Sequence, residues 1–345
     1  MLAPGVHRVG DYRSAQRALT DGRLVHWLRR DSAPNPIAAG IARWLDAMDP
    51  AHRHPLRKTI AAALTPAAIG RLEPDLNAMA GRLTTRLLDA GEVDLFQIYA
   101  RPLTKFMVLR ILGIEEAAFA GFDDLLDRLE PNLRQALSPA GSAGVDQAFF
   151  ASWTQATAAH AQGGGLLAAL SADLRAAGPE ADLPIFAAMF ALAATSNIAP
   201  FIAQAAHGLA AQPDVWRHLQ AEPSRLPPAL EEWLRFCPPL AFVHLVAAAP
   251  VNDGRIAPGD SVLVALDAAN RDPDLFEEPH AYRPDRNAAH LSFGHGPLAC
   301  IGMIMARTLA SLAIGHLLDA GRPFAEGQLP YPIVNLEPNI GEAER

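Results

Sequence analysis

Between Leu183 and Ala206 the chain reads LPIFAAMFALAATSNIAPFIAQAA, without one charged side chain. Two kinds of protein accommodate such a run. About twenty apolar residues cross the ~30 Å hydrocarbon core of a bilayer. A helix apolar on every side also serves as the central helix of a large soluble protein, covered all round by others. Thr195, Ser196, Asn197 and Pro200 stand in the middle of the run, and Ala outnumbers Leu and Ile. Polar groups at that depth are costly in a membrane, so the run reads as a buried central helix and no membrane is expected. The chain can supply the cover. Its 345 residues suffice to bury roughly three quarters of the unfolded surface. Half of them are hydrophobic and 19% are charged, a balance that excludes disorder.

Helical signals surround the run. Thr65-Pro66 is an N-cap followed by Pro at the first helical position, opening a helix that can extend to Gly91. Further helical patterns cover about 95–113, 115–137, 146–161 and 300–321. The sequences SPAGSAG (138–144) and GGG (163–165) break them and read as loops at a pocket mouth, with plain linkers as the alternative. Strand signals are few. AFVHLVA (241–247) and SVLVAL (261–266) flank the turn residues Asp253-Gly254 and Pro258-Gly259. Residues 270–291 form a long irregular stretch rich in Pro, Asp and Arg, of the kind that is usually functional in a compact domain. The expectation is a mostly α fold with a small β-sheet, in one domain spanning 1–345.

The net charge of −8 gives no basic field for nucleic acid and no polybasic tract for anionic lipid. Cys237 and Cys300, the two cysteines, are too few for a disulfide scaffold or a tetrathiolate zinc site. The start MLAPGVHRVGDYRS has no apolar core of a signal peptide, so a cytoplasmic location is expected. His160, His207, His218 and His316 lie in helical segments at no metal-binding spacing, and Trp153, Trp216 and Trp233 read as core.

Two constellations carry chemistry. In Phe293-Gly-His-Gly-Pro-Leu-Ala-Cys300-Ile-Gly302 a cysteine stands where a Gly- and Pro-shaped loop turns into a helix. Free N–H groups at a helix start favour a thiolate. Gly296 and Gly302 remove side chains on either side, so a flat, bulky group can approach. A thiolate held this way suits the axial position of heme iron; a buried structural cysteine is the alternative. The second constellation is Glu232-Trp-Leu-Arg235, an i, i+3 pair on one helix face. The Cys-Pro-Pro and strand that follow suggest burial, which demands further partners. Arg286 is the candidate third member.

In this order the pieces resemble the cytochrome P450 family of heme-thiolate monooxygenases over most of the chain. DPAHRHPLRK (49–58) is similar to the entrance of the family's helix C, and LAATSN (192–197) to its oxygen-binding helix. EEWLRFCPP (231–239) resembles the Glu-x-x-Arg helix, and ANRDPDLFEEPHAYRPDR (269–286) the meander before the cysteine loop. The resemblance implies a cytochrome P450 fold with heme b (iron protoporphyrin IX) between the oxygen-binding helix and the cysteine loop. Cys300 is then the iron ligand, and Phe293, Gly294, Gly296, Leu298 and Gly302 line its loop. Glu232, Arg235 and Arg286 form the structural triad. Arg53, Arg57 and His244 fall at propionate-binding positions. Ala194, Thr195 and Ser196 fall at the oxygen-activating positions. HRVGDYRSAQRALTD already resembles the family beyond its first helix and strands, so the usual extreme N-terminal segment is expected to be missing or replaced.

Three departures stand out. Ala194 replaces the family's acid before Thr195, Leu298 replaces a His two residues before the cysteine, and Arg53 replaces a His four residues before Arg57, with His52 and His54 as possible substitutes. Ala194 cannot relay a proton, whereas Thr195, Ser196 and Asn197 keep polar groups. Pro200, lacking an N–H, leaves the Ser196 carbonyl outside the helical ladder. The implied function is insertion of one oxygen atom from dioxygen into a small organic substrate, with electrons from a ferredoxin or flavodoxin. The distal pocket is expected from the 28–48 loop, residues 130–190 and 238–246. The missing acid keeps open an atypical heme-thiolate enzyme, driven by peroxide or catalysing rearrangement, dehydration or coupling. A non-catalytic recruitment module is the third reading.

Overall fold

The computed structural model describes residues 5–28, 35–48, 55–89, 94–137, 146–177, 182–286, 289–296 and 299–321. Arg53, Leu298, His52, His54 and the 138–144 loop lie outside the described residues. The first half of the chain runs β1 (Val6–Val9), α1 (Tyr12–Thr20), β2 (Leu24–His26), α2 (Pro36–Met48), α3 (Pro55–Ala63), α4 (Pro66–Gly70), α5 (Glu73–Asp89), a π-helical turn (Phe96–Ala100), α6 (Arg101–Leu112), α7 (Phe119–Leu137) and α8 (Gln147–His160). The second runs α9 (Gly165–Ala177), α10 (Leu183–Thr195), α11 (Ile198–Ala210), α12 (Pro213–Ala221), α13 (Leu226–Phe236), β3 (Phe242–Ala247), β4 (Ser261–Ala265), α14 (Leu266–Ala269) and α15 (Met303–Asp319). The described residues separate into two compact units, one within 5–25, 64–107 and 194–321, the other within 26–63 and 108–193.

The first unit holds the sheet, in the order β1-β4-β3-β2. β3 and β4 pair antiparallel with His244 opposite Leu263, and β1 lies parallel to β4 with Val6 opposite Ser261. Asn252, Asp253 and Gly254, all at positive φ, turn the chain between β3 and β4. The sheet buries Leu245, Val262 and Val264 against Tyr12, Ala15 and Leu19 of α1 and against Phe276 and Leu291 of the irregular stretch. Asp11 caps α1 by accepting the Ser14 N–H at 2.8 Å. β1 and β2 carry no strand signal of their own; a strand of three or four residues exists only because a partner strand supplies its ladder.

Thr65 caps a helix as expected, accepting the Ala68 N–H, but that helix ends at Gly70 and a new one starts at Glu73. Pro74 is the reason: it has no N–H for the Gly70 carbonyl, and its ring crowds the preceding turn.

The second unit is helical. Trp153 is fully buried, and its indole N–H donates to the Pro184 carbonyl at 2.7 Å. Arg43 of α2 binds Asp182 through both carboxylate oxygens. Residues 36–48, expected within a loop, are the helix α2. At the Gly163–Gly165 break the backbone is closely packed. Gly113, at φ +86°, lies so close that an added Cβ would fall 1.9 Å from the Gly164 carbonyl oxygen.

The uncharged run forms two helices rather than one. α10 ends at Thr195 and α11 begins at Ile198. Pro200 cannot donate to the Ser196 carbonyl, and the ladder resumes where the Phe201 N–H donates to the Asn197 carbonyl at 3.1 Å. By length and composition Leu183–Ala210 could cross a membrane, but 78% of its most apolar window is buried within the protein. Burial of this kind is what a core helix shows.

Candidate functional site

The irregular stretch exists to surround one ion cluster. On α13, Glu232 and Arg235 project from the same face, and their side chains are 2% and 0% exposed. Every N–H of the Arg235 guanidinium is used. Nε and Nη2 donate to the two Glu232 oxygens at 2.7 and 2.8 Å. Nη1 donates to the Asn270 and Pro279 carbonyls, and Nη2 also to that of Ala281. Glu232 further accepts the Arg283 N–H at 2.9 Å and Arg286 Nε at 3.1 Å. Burial alone would push the Glu232 carboxyl up; these donors outweigh it and hold the group below its ordinary range. Arg286, singled out from sequence, therefore does meet the pair. Residues 270–286 lack regular structure because their carbonyls are spent on two arginines rather than on a ladder.

Asn270, fully buried, carries this order into the next loop. Its Oδ1 accepts the Leu291 N–H at 2.7 Å and its Nδ2 donates to Ser292 Oγ at 2.8 Å. Ser292 Oγ in turn donates to the Leu234 carbonyl of α13 at 2.7 Å. The loop that starts there ends at Cys300. Gly294 and Gly296 sit at φ +71° and +57°, a region that favours glycine. A side chain on Gly296 would also come within 2.6 Å of Thr20 Cγ2. The Cys300 N–H donates to the Phe293 carbonyl at 2.7 Å, closing the loop. Gly302 then precedes α15.

Cys300 is exposed. A Cβ built on Gly302 would lie 3.8 Å from its sulfur, so glycine there keeps a side chain off the thiol. Among the described residues no group of three or more His, Cys, Asp or Glu could hold a metal ion together. One accessible sulfur on a glycine-rich loop fits a metal whose remaining ligands come with it, as the porphyrin nitrogens do in heme. The residues present thus fit heme.

The other expected contacts each have local surroundings of their own. His244, on β3, is buried and lies 3.0 Å from Ser261 Oγ. Burial pulls its imidazole below the ordinary histidine value, so it offers a hydrogen bond rather than a charge. Arg57 of α3 donates to the Met48 carbonyl at 2.6 Å. Ala194 is buried, and Thr195, Ser196 and Asn197 are half-buried at the α10–α11 interruption.

Sequence reading missed a second cluster. Glu231 accepts Arg307 Nε and Nη2, both at 2.7 Å, and lies 3.2 Å from His290 Nε2. Arg307 also covers the Phe293 ring at 4.5 Å from its centroid. The doublet Glu231-Glu232 is visible in the sequence, but nothing there says that the two acids serve different partners.

Comparison with known proteins identifies the family. The family model for cytochrome P450 matches residues 225–321. Cytochrome P450 107B1 of Saccharopolyspora erythraea is 31% identical over 281 residues, covering 79% of this chain and 68% of that protein. Cytochrome P450 monooxygenase PikC of Streptomyces venezuelae is 29% identical over 322 residues, covering 89% of this chain and 76% of the relative. The crystal structure of CalO2 superposes with a TM-score of 0.79 at 26% identity, covering 90% of this chain and 82% of that one. The mostly helical fold with its small sheet is the one in which heme lies between the oxygen-binding helix and the cysteine-ligand loop. This chain belongs to the cytochrome P450 family of heme b-dependent, monooxygenase-type oxidoreductases.

Proposed function

We propose that the chain is a single-domain cytoplasmic heme-thiolate monooxygenase that takes Cys300 as its iron ligand. It inserts one oxygen atom from dioxygen into a small organic substrate, with electrons from a ferredoxin or flavodoxin. The observation that carries this reading is the exposed Cys300 sulfur on a loop whose Gly302, without a side chain, lies beside it. When bound, heme supplies the reductive activation of dioxygen. Phe293, Gly294, Gly296 and Gly302 shape the approach to the sulfur, and Glu232, Arg235 and Arg286 hold the stretch that delivers the loop. Arg53 and Arg57 bind propionate by charge and His244 by a hydrogen bond, while Leu298 contributes no donor.

Proton delivery falls to the α10–α11 interruption. Ala194 cannot carry a proton; Thr195 and Ser196 hydroxyls can, through water. A carbonyl oxygen has two lone pairs, so the Ser196 carbonyl can orient a water, and Pro200 does not compete for it. Ala194 also supports a second reading, in which peroxide serves as oxidant or the reaction is a rearrangement, dehydration or coupling. The retained Cys300, Glu232 and Arg235 weigh against a pure recruitment module, which needs no thiolate ligand.

Purified protein is expected to be red, with a reduced carbonyl complex showing the far-shifted Soret band of thiolate ligation. Cys300→Ala is expected to lose that band; a variant that keeps it overturns the assignment. Spin-state shifts across a panel of small molecules then identify the substrate class.

A further inference from the structure

Successive residues on a helix point about 100° apart, so Glu231 faces away from the cluster that Glu232 serves. It meets α15 instead, where Arg307 grips both of its oxygens at 2.7 Å. His290 adds a third donor: the Ser292 N–H donates to its Nδ1 at 3.2 Å, which leaves the ring hydrogen on Nε2, facing Glu231. Burial would raise the Glu231 carboxyl, but Arg307 and His290 hold it at about 2, so it is ionised at neutral pH. Held from one side, the guanidinium lies over the Phe293 ring at 4.5 Å. The carbonyl of the same Phe293 accepts the Cys300 N–H at 2.7 Å. The guanidinium is thus stacked on the residue whose backbone closes the loop onto Cys300.

We propose that Arg307 is a positioning residue for the Cys300 ligand: clamped by Glu231 and stacked on Phe293, it fixes one positive charge against the loop that carries the sulfur and sets how readily the loaded enzyme accepts an electron. The proposal rests on Cys300 being the iron ligand. A nearby cation favours the state with one more electron, and the Glu231 carboxylate, farther along the same chain of contacts, opposes it. A clamp that only tied α13 to α15 would lose the same bridge whichever partner was changed. The two variants would then behave alike.

The experiment is spectroelectrochemical titration of heme-loaded parent, Arg307→Gln, Arg307→Lys and Glu231→Gln, each checked for the far-shifted carbonyl band. Arg307→Gln is expected to make reduction about tenfold less favourable, a midpoint lower by about 59 mV for one electron. Glu231→Gln is expected to move it upward, and Arg307→Lys to stay near the parent. Shifts of the same sign in Arg307→Gln and Glu231→Gln, or none in Arg307→Gln, overturn the proposal. Should Arg307→Gln fail to load heme, the other two variants decide: a downward shift in Glu231→Gln, or a large one in Arg307→Lys, overturns it. A parent without the far-shifted band overturns the ligand assignment itself, and this proposal with it.

Discussion

Replacing Glu232 by alanine strands charge in the interior. The carboxylate accepts four hydrogen bonds: two from Arg235, one from the Arg283 N–H and one from Arg286. In Glu232→Ala, Arg235 keeps its carbonyl acceptors at Asn270, Pro279 and Ala281, but its charge has no counter-ion and its side chain is 0% exposed. Removing one partner of a buried ion pair costs about 3–5 kcal/mol. Folding stabilities are about 5–15 kcal/mol, so the loss is a large share of the total. With a urea slope of about 3 kcal/mol/M, the unfolding midpoint falls by about 1–1.7 M. The assay is urea unfolding followed by tryptophan fluorescence and far-UV circular dichroism, with Glu232→Gln as the volume-conserving control. The glutamine keeps one acceptor oxygen and should fall between parent and alanine. A Glu232→Ala protein within about 1 kcal/mol of the parent by this assay would refute the reasoning, because a deletion that cheap is what an exposed pair gives.

Three further outcomes are expected. Gly208→Ala places a Cβ 1.8 Å from Trp233 Cη2; the buried indole cannot retreat freely, and overpacking of this kind costs about 1–3 kcal/mol, read as a lower thermal midpoint. Glu231 has a folded-state pKa of about 2 against an ordinary 4.5. Its contribution to stability is therefore complete above pH 4.5 and lost as pH falls toward 2; acid titration of Glu231→Gln should lack that part of the decline. Ala194→Glu and Ala194→Asp should raise product formed per electron consumed if a missing carboxylate limits proton delivery near Thr195. Tight coupling in the parent that falls in both variants would instead assign the proton to a substrate hydroxyl or to water on the Ser196 carbonyl.

Local chemistry determined a good deal of this molecule. Caps mark helix starts wherever a side chain can reach its own backbone, as at Thr65 and Asp146. β-branched runs mark β3 and β4, and the spacing of Glu232 and Arg235 already places both on one helix face. The glycines around Cys300 announce a close backbone approach before any fold is known. Other features depend on partners far along the chain, and no local signal carries them. β1 is a strand only because Ser261–Val264 lies beside Val6–Val9. The uncharged run divides at Ser196–Asn197 because Pro200 lacks one N–H, a break that composition alone leaves undecided between a bend and an interruption. The two neighbouring acids Glu231 and Glu232 are chemically identical in the sequence. Only the packing of α13 sends one to Arg307 and the cysteine loop and the other to Arg235 and Arg286, because charge pairs form with whatever the tertiary fold brings within reach.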